Sequence, residues 1–150
     1  MSDECCAVPG AGPDAGGSAC PVCGQTGKSV GLQTLKALLR PEALRRLQPA
    51  EGFRFCASPG CPIVYYSIGQ SYAVGDVAKT VFQKSGHPGD EVCYCFGYAR
   101  GPLADAAARK LAMAEVGKLV KNGVCACEIR NPQGSCCLGN IASLGREAVR

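Results

Sequence analysis

Twelve cysteines stand in close pairs along this 150-residue chain, and they constrain its fold more than any other feature. The pairs are Cys5 and Cys6, Cys20 and Cys23, Cys56 and Cys61, Cys93 and Cys95, Cys125 and Cys127, and Cys136 and Cys137. So many thiols in a short chain indicate either a disulfide framework or bound metal. The choice between these two explanations decides what holds the fold together.

The N-terminal stretch MSDECCAVPGAGPDAGG favours metal, because it has neither the basic region nor the apolar region of a secretory signal. The longest apolar runs, such as CPIVYY, are too short to span a bilayer. We therefore expect a cytoplasmic protein without membrane insertion. Thiols stay reduced in that compartment, so clustered cysteines there are typical metal ligands.

Charge and composition exclude several classes of function. The net charge is +4 at pH 7, but the basic residues are scattered and do not alternate with aromatic ones, so no nucleic-acid partner is expected. Aromatic residues are 6% of the chain and Trp is absent, which predicts a thin core. No Ser/His/Asp set and no P-loop is present. A redox or metal-binding protein is favoured over a stand-alone enzyme.

The pattern along the chain predicts the α+β class. We expect a disordered tail over 1–18, a small zinc-stapled β-rich subdomain over 19–88 and a helical subdomain over 89–150 that binds a 2Fe–2S cluster. The predicted elements are a strand in SVGLQTLKAL, a helix over about 41–48 with Leu44 and Leu47 on its apolar side, and a strand, turn and strand in FRFCASPGCPIVYYSI. We then expect a helix over about 102–121 and a final helix over about 138–149. The apolar stripe of the longer helix consists of Ala108, Leu111, Ala112, Val116, Leu119 and Val120.

The first group of cysteines has the character of a zinc site. Cys20 and Cys23 form a Cys-x2-Cys knuckle, while Cys56 and Cys61 flank a turn at Ser-Pro-Gly. Four thiolates from two loops suit a closed tetrahedral zinc site. Two structural thiols beside a chance turn are the alternative.

The second group suits a 2Fe–2S cluster, which needs two thiolates on each iron. Cys93 and Cys95 are separated by one residue, too few for a usual zinc knuckle. Residue spacing alone does not choose between Cys125 and Cys127, or between Cys136 and Cys137, as the remaining ligands. The single histidine, His87, excludes a Rieske-type cluster, which needs two.

The segments CPVCG, TLKALLRPE, FRFCASPGCPIVYY, VCYCFGYA and CACEIRNPQGSCCLGN together resemble the N-terminal domain of CopZ-type copper chaperones, over about residues 18–147. In that family the domain carries one zinc and one 2Fe–2S cluster, and its cluster half is similar to bacterioferritin-associated ferredoxin. The resemblance implies cluster ligands at Cys93, Cys95, Cys127 and Cys137. It implies zinc ligands among Cys20, Cys23, Cys56 and Cys61.

The resemblance also implies a function in copper handling. We expect electron transfer that reduces Cu(II) to Cu(I), with a redox donor and a copper chaperone or copper-transporting ATPase as partners. The family's full-length chaperone continues into a copper-binding domain for which this chain has no room, so delivery by that route is not expected.

Four cysteines remain outside both predicted sites: Cys5, Cys6, Cys125 and Cys136. Thiols of this kind can bind Cu(I), form a redox-active disulfide, or pack as small apolar groups. Two alternative functions follow. One is a carrier of Cu(I) or another soft metal that uses these thiols beside a structural cluster. The other is an interaction module whose metals are structural only.

Overall fold

The computed structural model describes residues 18–49 and 52–148. Its strands are β1 (Lys28–Ser29), β2 (Arg54–Phe55), β3 (Ile63–Ser67), β4 (Gln70–Ala73), β5 (Glu91–Cys93) and β6 (Tyr98–Ala99). Its α-helices are α1 (Leu32–Leu38), α2 (Pro41–Arg45), α3 (Ala106–Lys121), α4 (Cys127–Arg130) and α5 (Leu138–Ala148). The predicted mixture of helix and sheet is confirmed, while the predicted tail over 1–18 lies, apart from Ser18, outside the described residues.

The first half is built on an antiparallel sheet with the strand order β1-β2-β3-β4. The predicted strand, turn and strand over 53–68 are confirmed as β2 and β3, where β-branched and aromatic residues suit a pleated, buried surface. Helices α1 and α2 pack against this sheet. The core between them consists of Val30, Leu35, Leu38, Leu39, Ala43, Phe53, Phe55, Val64, Tyr65, Tyr72, Val77 and Val81.

The prediction of a strand in SVGLQTLKAL is wrong for most of that segment. Only Lys28–Ser29 pairs as a strand, and the chain turns into helix α1 at Leu32. The apolar residues Leu35, Leu38 and Leu39 repeat with helical spacing and all are buried. An alternation that extends over only three positions was too short to outweigh this longer helical repeat.

Helix α2 begins at Pro41 as predicted but ends at Arg45, three residues early. Its buried residue is Ala43, whereas Leu44 is 38% exposed and so does not form the apolar side. Leu47, beyond the helix, packs against the first core.

The second half joins a hairpin of β5 and β6 to helices α3, α4 and α5. Its core contains Phe82, Val92, Cys93, Tyr94, Leu103, Ala112, Val116, Val120, Cys137, Ile141 and Leu144. Helix α3 packs against α5, and the 3₁₀ turn Pro102–Ala104 packs against both. Two cysteines therefore belong to the core itself.

Helix α3 begins at Ala106, four residues later than predicted, because Pro102–Ala104 forms a separate 3₁₀ turn. Asp105 caps the helix by accepting a hydrogen bond from the backbone N–H of Ala108. Val116 and Val120 of the predicted apolar stripe are buried, but Leu111 is 74% exposed. The final helix is confirmed as α5.

The two halves meet where α1 packs against α4. Thr34 is fully buried in α1 and donates a hydrogen bond to the backbone carbonyl of Glu128. Tyr65 of β3, also fully buried, donates to the carbonyl of Pro132. Gly134 lies against Val30 and Thr34 so closely that an added Cβ would stand 2.8 Å from Cγ2 of Val30. Residues 128–134 thus complete the packing of the first half.

Among the described residues, no helix combines the length and the apolar character that crossing a membrane requires.

Candidate metal centres

The first cysteine site is built from two loops at one end of the four-stranded sheet. Cys20 and Cys23 lie in a tight turn that closes with a hydrogen bond from the Cys20 N–H to the Gln25 carbonyl and that has Gly24 at φ +75°. Cys56 directly follows β2. Cys61 lies just before β3, in a turn closed by its N–H on the Ser58 carbonyl.

These loops bring the four sulfurs of Cys20, Cys23, Cys56 and Cys61 within 4.8 Å of one another. The Sγ atoms of Cys20 and Cys61 are 3.7 Å apart, and so are those of Cys23 and Cys56. Thiolates at about 2.3 Å from a tetrahedral zinc ion stand about 3.8 Å from one another. The sulfurs therefore have the spacing that one tetrahedral ion requires.

Two thiols of this site, Cys23 and Cys61, have pKa values shifted in opposite directions. The pKa of Cys23 is lowered to about 6, first by its hydrogen bond with the Ser58 hydroxyl and then by the backbone N–H of Gln25. The pKa of Cys61 is raised to about 11, because burial disfavours its thiolate. The Ser58 hydroxyl and the Gln25 N–H thus stabilise a thiolate at Cys23, the less buried of the two. Ionisation of the buried Cys61 thiol would need a bound cation.

A lysine from outside both loops also reaches this site. Lys84 belongs to the 3₁₀ turn Phe82–Lys84, which we call the bridging turn. Its Nζ lies 3.4 Å from Sγ of Cys56 and 2.7 Å from the carbonyl oxygen of Ser58. Sequence reasoning missed this residue, because Lys84 lies 28 residues beyond Cys56 and no spacing rule connects them.

The second group of cysteines is arranged as two separate pairs. Sγ of Cys95, in the β5–β6 turn, lies 3.5 Å from Sγ of Cys127 at the start of α4. The thiol of Cys93, at the end of β5, neighbours that of Cys137, directly before α5, closely enough for Cys137 to lower the pKa of Cys93. Among the described residues, no three of these thiols lie within 4.8 Å of one another. The second group therefore provides two pairs of thiols rather than four thiols around a single point.

Within each pair, one thiol is made more acidic by its partner. The pKa of Cys95 is lowered to about 6, first by Cys127 and, among the other lowering causes, by the backbone N–H of Ala126, which stands 3.3 Å from the sulfur. Cys137 lowers the pKa of Cys93, and the N–H of Phe96 lowers it further. The pKa of Cys137 itself is raised, first by the neighbouring Cys136. One thiol of each pair therefore loses its proton more readily than an isolated cysteine would.

The aromatic residues that interleave with these cysteines cover the pairs. Tyr94 is 5% exposed, and its hydroxyl donates to the carbonyl of Thr80 and accepts from the N–H of Phe82. Phe96 and Tyr98 pack against the second core. Cys93, Cys127 and Cys137 are buried, whereas Cys95 is half-buried.

The remaining cysteines take different places. Cys125 and Cys136 are half-buried and pack against the second core. Cys136 also lines a cavity of about 610 Å³ whose wall includes Cys56 of the first site. Side chains of Ser58, Gln83 and Asn140 line it as well. Cys5 and Cys6 lie outside the described residues.

Comparison with known proteins agrees with the first site. The model of the zf_CopZ family, described as a zinc binding domain, matches residues 17–78. This part of the chain is therefore similar to the CopZ zinc-binding domain. The four converging cysteines all lie inside the matched range, which accords with zinc binding. A search among curated proteins finds no match.

A solved structure extends the likeness to CopZ. The X-ray structure of the Archaeoglobus fulgidus CopZ N-terminal domain is similar with a TM-score of 0.68 and 26% sequence identity, over 85% of this chain and 97% of that one. The matched part is 85% of the 150 residues, whereas residues 1–78 make up only 78 of them. The likeness to CopZ therefore extends beyond residue 78 into the second half.

Proposed function

We propose that this chain is an iron–sulfur and zinc protein that transfers electrons in copper handling, reducing Cu(II) to Cu(I) for a chaperone or a transporter. Zinc would be held by Cys20, Cys23, Cys56 and Cys61, and a 2Fe–2S cluster by Cys93, Cys95, Cys127 and Cys137. The zinc ligands belong to a subdomain over 19–88 and the cluster ligands to one over 89–150.

The observation that carries the proposal is the pairing of sulfurs in the second half. A 2Fe–2S cluster takes two thiolates on each of two irons, and it therefore needs two pairs rather than four convergent thiols. Cys95 and Cys127 form one pair, with 3.5 Å between their sulfurs, and Cys93 and Cys137 form the other. Among the residues that the structure describes, four thiols converge on one point in the first half and no such group forms in the second, which supports a different metal chemistry for each half.

When bound, a 2Fe–2S cluster supplies a centre that accepts and returns one electron. The chain's own residues would set how easily that happens. The N–H groups of Ala126 and Phe96 donate to sulfur, and such hydrogen bonds favour the more negative state. Burial of Cys93 and Cys137 opposes it, because charge is disfavoured where water is excluded.

Copper enters the proposal through the likeness to CopZ. Reduction of Cu(II) to Cu(I) consumes one electron, which an external redox donor would have to supply. Cu(I) prefers soft thiolate ligands and would pass to a copper chaperone or a copper-transporting ATPase.

Purification without oxygen, followed by metal analysis, sulfide analysis and a visible spectrum, tests the proposal. We expect a coloured protein with one zinc, two irons and two acid-labile sulfides per chain. A colourless protein that contains two zinc ions and no sulfide would refute it. Addition of a donor and Cu(II) to the coloured protein should then produce Cu(I), detected with a Cu(I)-specific chelator.

A second candidate function is transport of Cu(I), with the cluster as a structural element. The position of Cys136 in the wall of the cavity favours it, since a soft thiol there is open to small solutes. Cys136→Ser separates the two functions. Loss of tight Cu(I) binding with an unchanged visible spectrum and unchanged Cu(II) reduction would support the carrier, whereas unchanged Cu(I) binding would exclude it for Cys136.

A further inference from the structure

The bridging turn contacts three parts of the molecule through three consecutive residues. The N–H of Phe82 donates to the hydroxyl of Tyr94, at 3.0 Å. Gln83 donates through Nε2 to Oε1 of Gln133, at 2.6 Å. Lys84 reaches the first cysteine site. One short turn therefore contacts the first cysteine site directly and, in the second half, the side chain of Tyr94, which lies between Cys93 and Cys95 in the sequence.

Lys84 is held in place by two contacts on the same side of that site. Its Nζ donates to the Ser58 carbonyl at 2.7 Å and to Sγ of Cys56 at 3.4 Å. Ser58 also contacts Cys23, through its hydroxyl at 3.3 Å. Among the residues that the structure describes, no carboxylate forms an ion pair with Lys84. The sulfur is therefore the anionic partner available to the ammonium group.

The charge of an occupied site explains why a cation would stand there. Four thiolates around one Zn²⁺ leave a net charge of −2 on the centre. Cys20, Cys56 and Cys61 are each at most 5% exposed, so water screens little of this charge. An ammonium group on one sulfur offsets part of this charge and stabilises that thiolate as a ligand of the metal.

We propose that Lys84 is a positioning residue of the zinc centre and that its positive charge retains the metal by neutralising the Cys56 thiolate. The bridging turn then transmits the presence or absence of zinc to Tyr94 in the other half. This inference depends on the proposed zinc ligation by Cys56. It adds a residue from outside the two cysteine loops to the machinery of that site.

The test compares four zinc-loaded proteins: wild type, Lys84→Gln, Lys84→Arg and Lys79→Gln. Lys79 is exposed and lies five residues earlier, so its variant removes the same charge without touching the site. Zinc transfer to a colorimetric chelator is followed at low and at high salt. We expect Lys84→Gln to release zinc about 10–100-fold faster at low salt, the usual effect of losing a partner of a metal ligand.

The Arg variant and the salt series separate charge from packing. Lys84→Arg should restore release to within about threefold of wild type, and the difference between wild type and Lys84→Gln should shrink as salt screens the charge. Equal release from wild type, Lys84→Gln and Lys79→Gln would overturn the inference. A wild-type protein without zinc would instead overturn the proposed function.

A folding failure also has a defined meaning here. If Lys84→Gln cannot be isolated with zinc, Lys84→Met, which keeps the aliphatic stem, replaces it. Should both neutral variants lack zinc while Lys84→Arg retains it, the need for the charge is confirmed. Loss of zinc from Lys84→Arg as well would refute it, because the positive charge is then present without effect.

Hydrogen exchange tests the connection to the other half. Chelation of zinc from the wild type should speed amide exchange in the peptide that contains Phe82 and in the one that contains Tyr94, while peptides of α3 remain unchanged. Unchanged exchange at Phe82 and Tyr94 after zinc removal would refute the connection.

Discussion

The two halves of the molecule use sulfur in different ways. In the first half, Cys20, Cys56 and Cys61 form a small cluster with Ile63 and Tyr66, apart from a core of twelve buried residues that contains no cysteine. In the second half, Cys93 and Cys137 belong to the core, and other cysteines pack against it.

This difference indicates that bound metal would contribute differently to the stability of each half. The first half has an apolar core that zinc supplements at one end of the sheet. The second half has sulfur inside the core, so loss of the proposed cluster would leave unligated thiols there. We therefore expect metal loss to be local in the first half and global in the second.

The largest expected effect comes from Cys95→Ala. Removing one of the paired sulfurs should bleach the visible spectrum and unfold the second half, because the proposed cluster would be part of its core. Metal analysis should still give one zinc per chain, and circular dichroism should lose much of its helical signal. Cys125→Ala, a matched change outside the two pairs, should keep the colour. A coloured, fully helical Cys95→Ala protein would contradict both the ligand assignment and the comparison.

Cys61→Ala should give the next largest effect, and it tests the role of zinc in the first half. Zinc should be lost, but the first core should stay folded and the colour of the second half should remain. Near-ultraviolet circular dichroism reports on Tyr65 and Tyr72, which are buried in that core. Loss of their signal would break the comparison, since it would mean that zinc is as essential as the cluster.

Gly134→Ala weakens the contact between the halves. The residue has φ +72°, and a Cβ there would stand 2.8 Å from Val30 and 3.1 Å from Thr34. The backbone and steric terms together should lower the free energy of unfolding by about 2–4 kcal/mol. Gly123→Ala is the control, because Gly123 has φ +74° but open space around it, and it should cost about 1–2 kcal/mol. Urea titrations measure both, and equal costs would exclude a close contact at Gly134.

Tyr65→Phe should have the smallest effect of the four. It leaves the carbonyl of Pro132 without its hydrogen bond in a buried setting and should cost about 1–2 kcal/mol. Tyr72→Phe removes a hydroxyl that bonds Gln70, a neighbour on the same strand, and should cost about 0.5 kcal/mol. If the two variants unfold at the same urea concentration, the contact between the halves contributes no more than the local one.

Local features of this chain were readable from the sequence. The turn between β2 and β3, the proline at the start of α2 and the final helix α5 each depend on neighbouring residues, and their predictions are confirmed. The four cysteines of the first site could be grouped because a knuckle and a turn each bring two thiols together.

Features that depend on tertiary contacts could not be read in this way. The pairing of Cys95 with Cys127, across 32 residues, follows from how α3 returns the chain to the hairpin. The approach of Lys84 to Cys56 follows from how the two halves pack. Leu111 was placed in a buried stripe because helical periodicity gives a face but not its width.

The hydrogen bond from Tyr65 to Pro132 spans 67 residues, and the one from Thr34 to Glu128 spans 94. The ribosome makes about 5–20 residues per second, so the Tyr65 hydroxyl waits about 3–13 s for its acceptor to be synthesised. Throughout that interval, the surface of the nascent sheet that residues 128–134 later cover stays exposed. Translation speed between Tyr65 and Pro132 therefore sets how long this protein is exposed to misassembly.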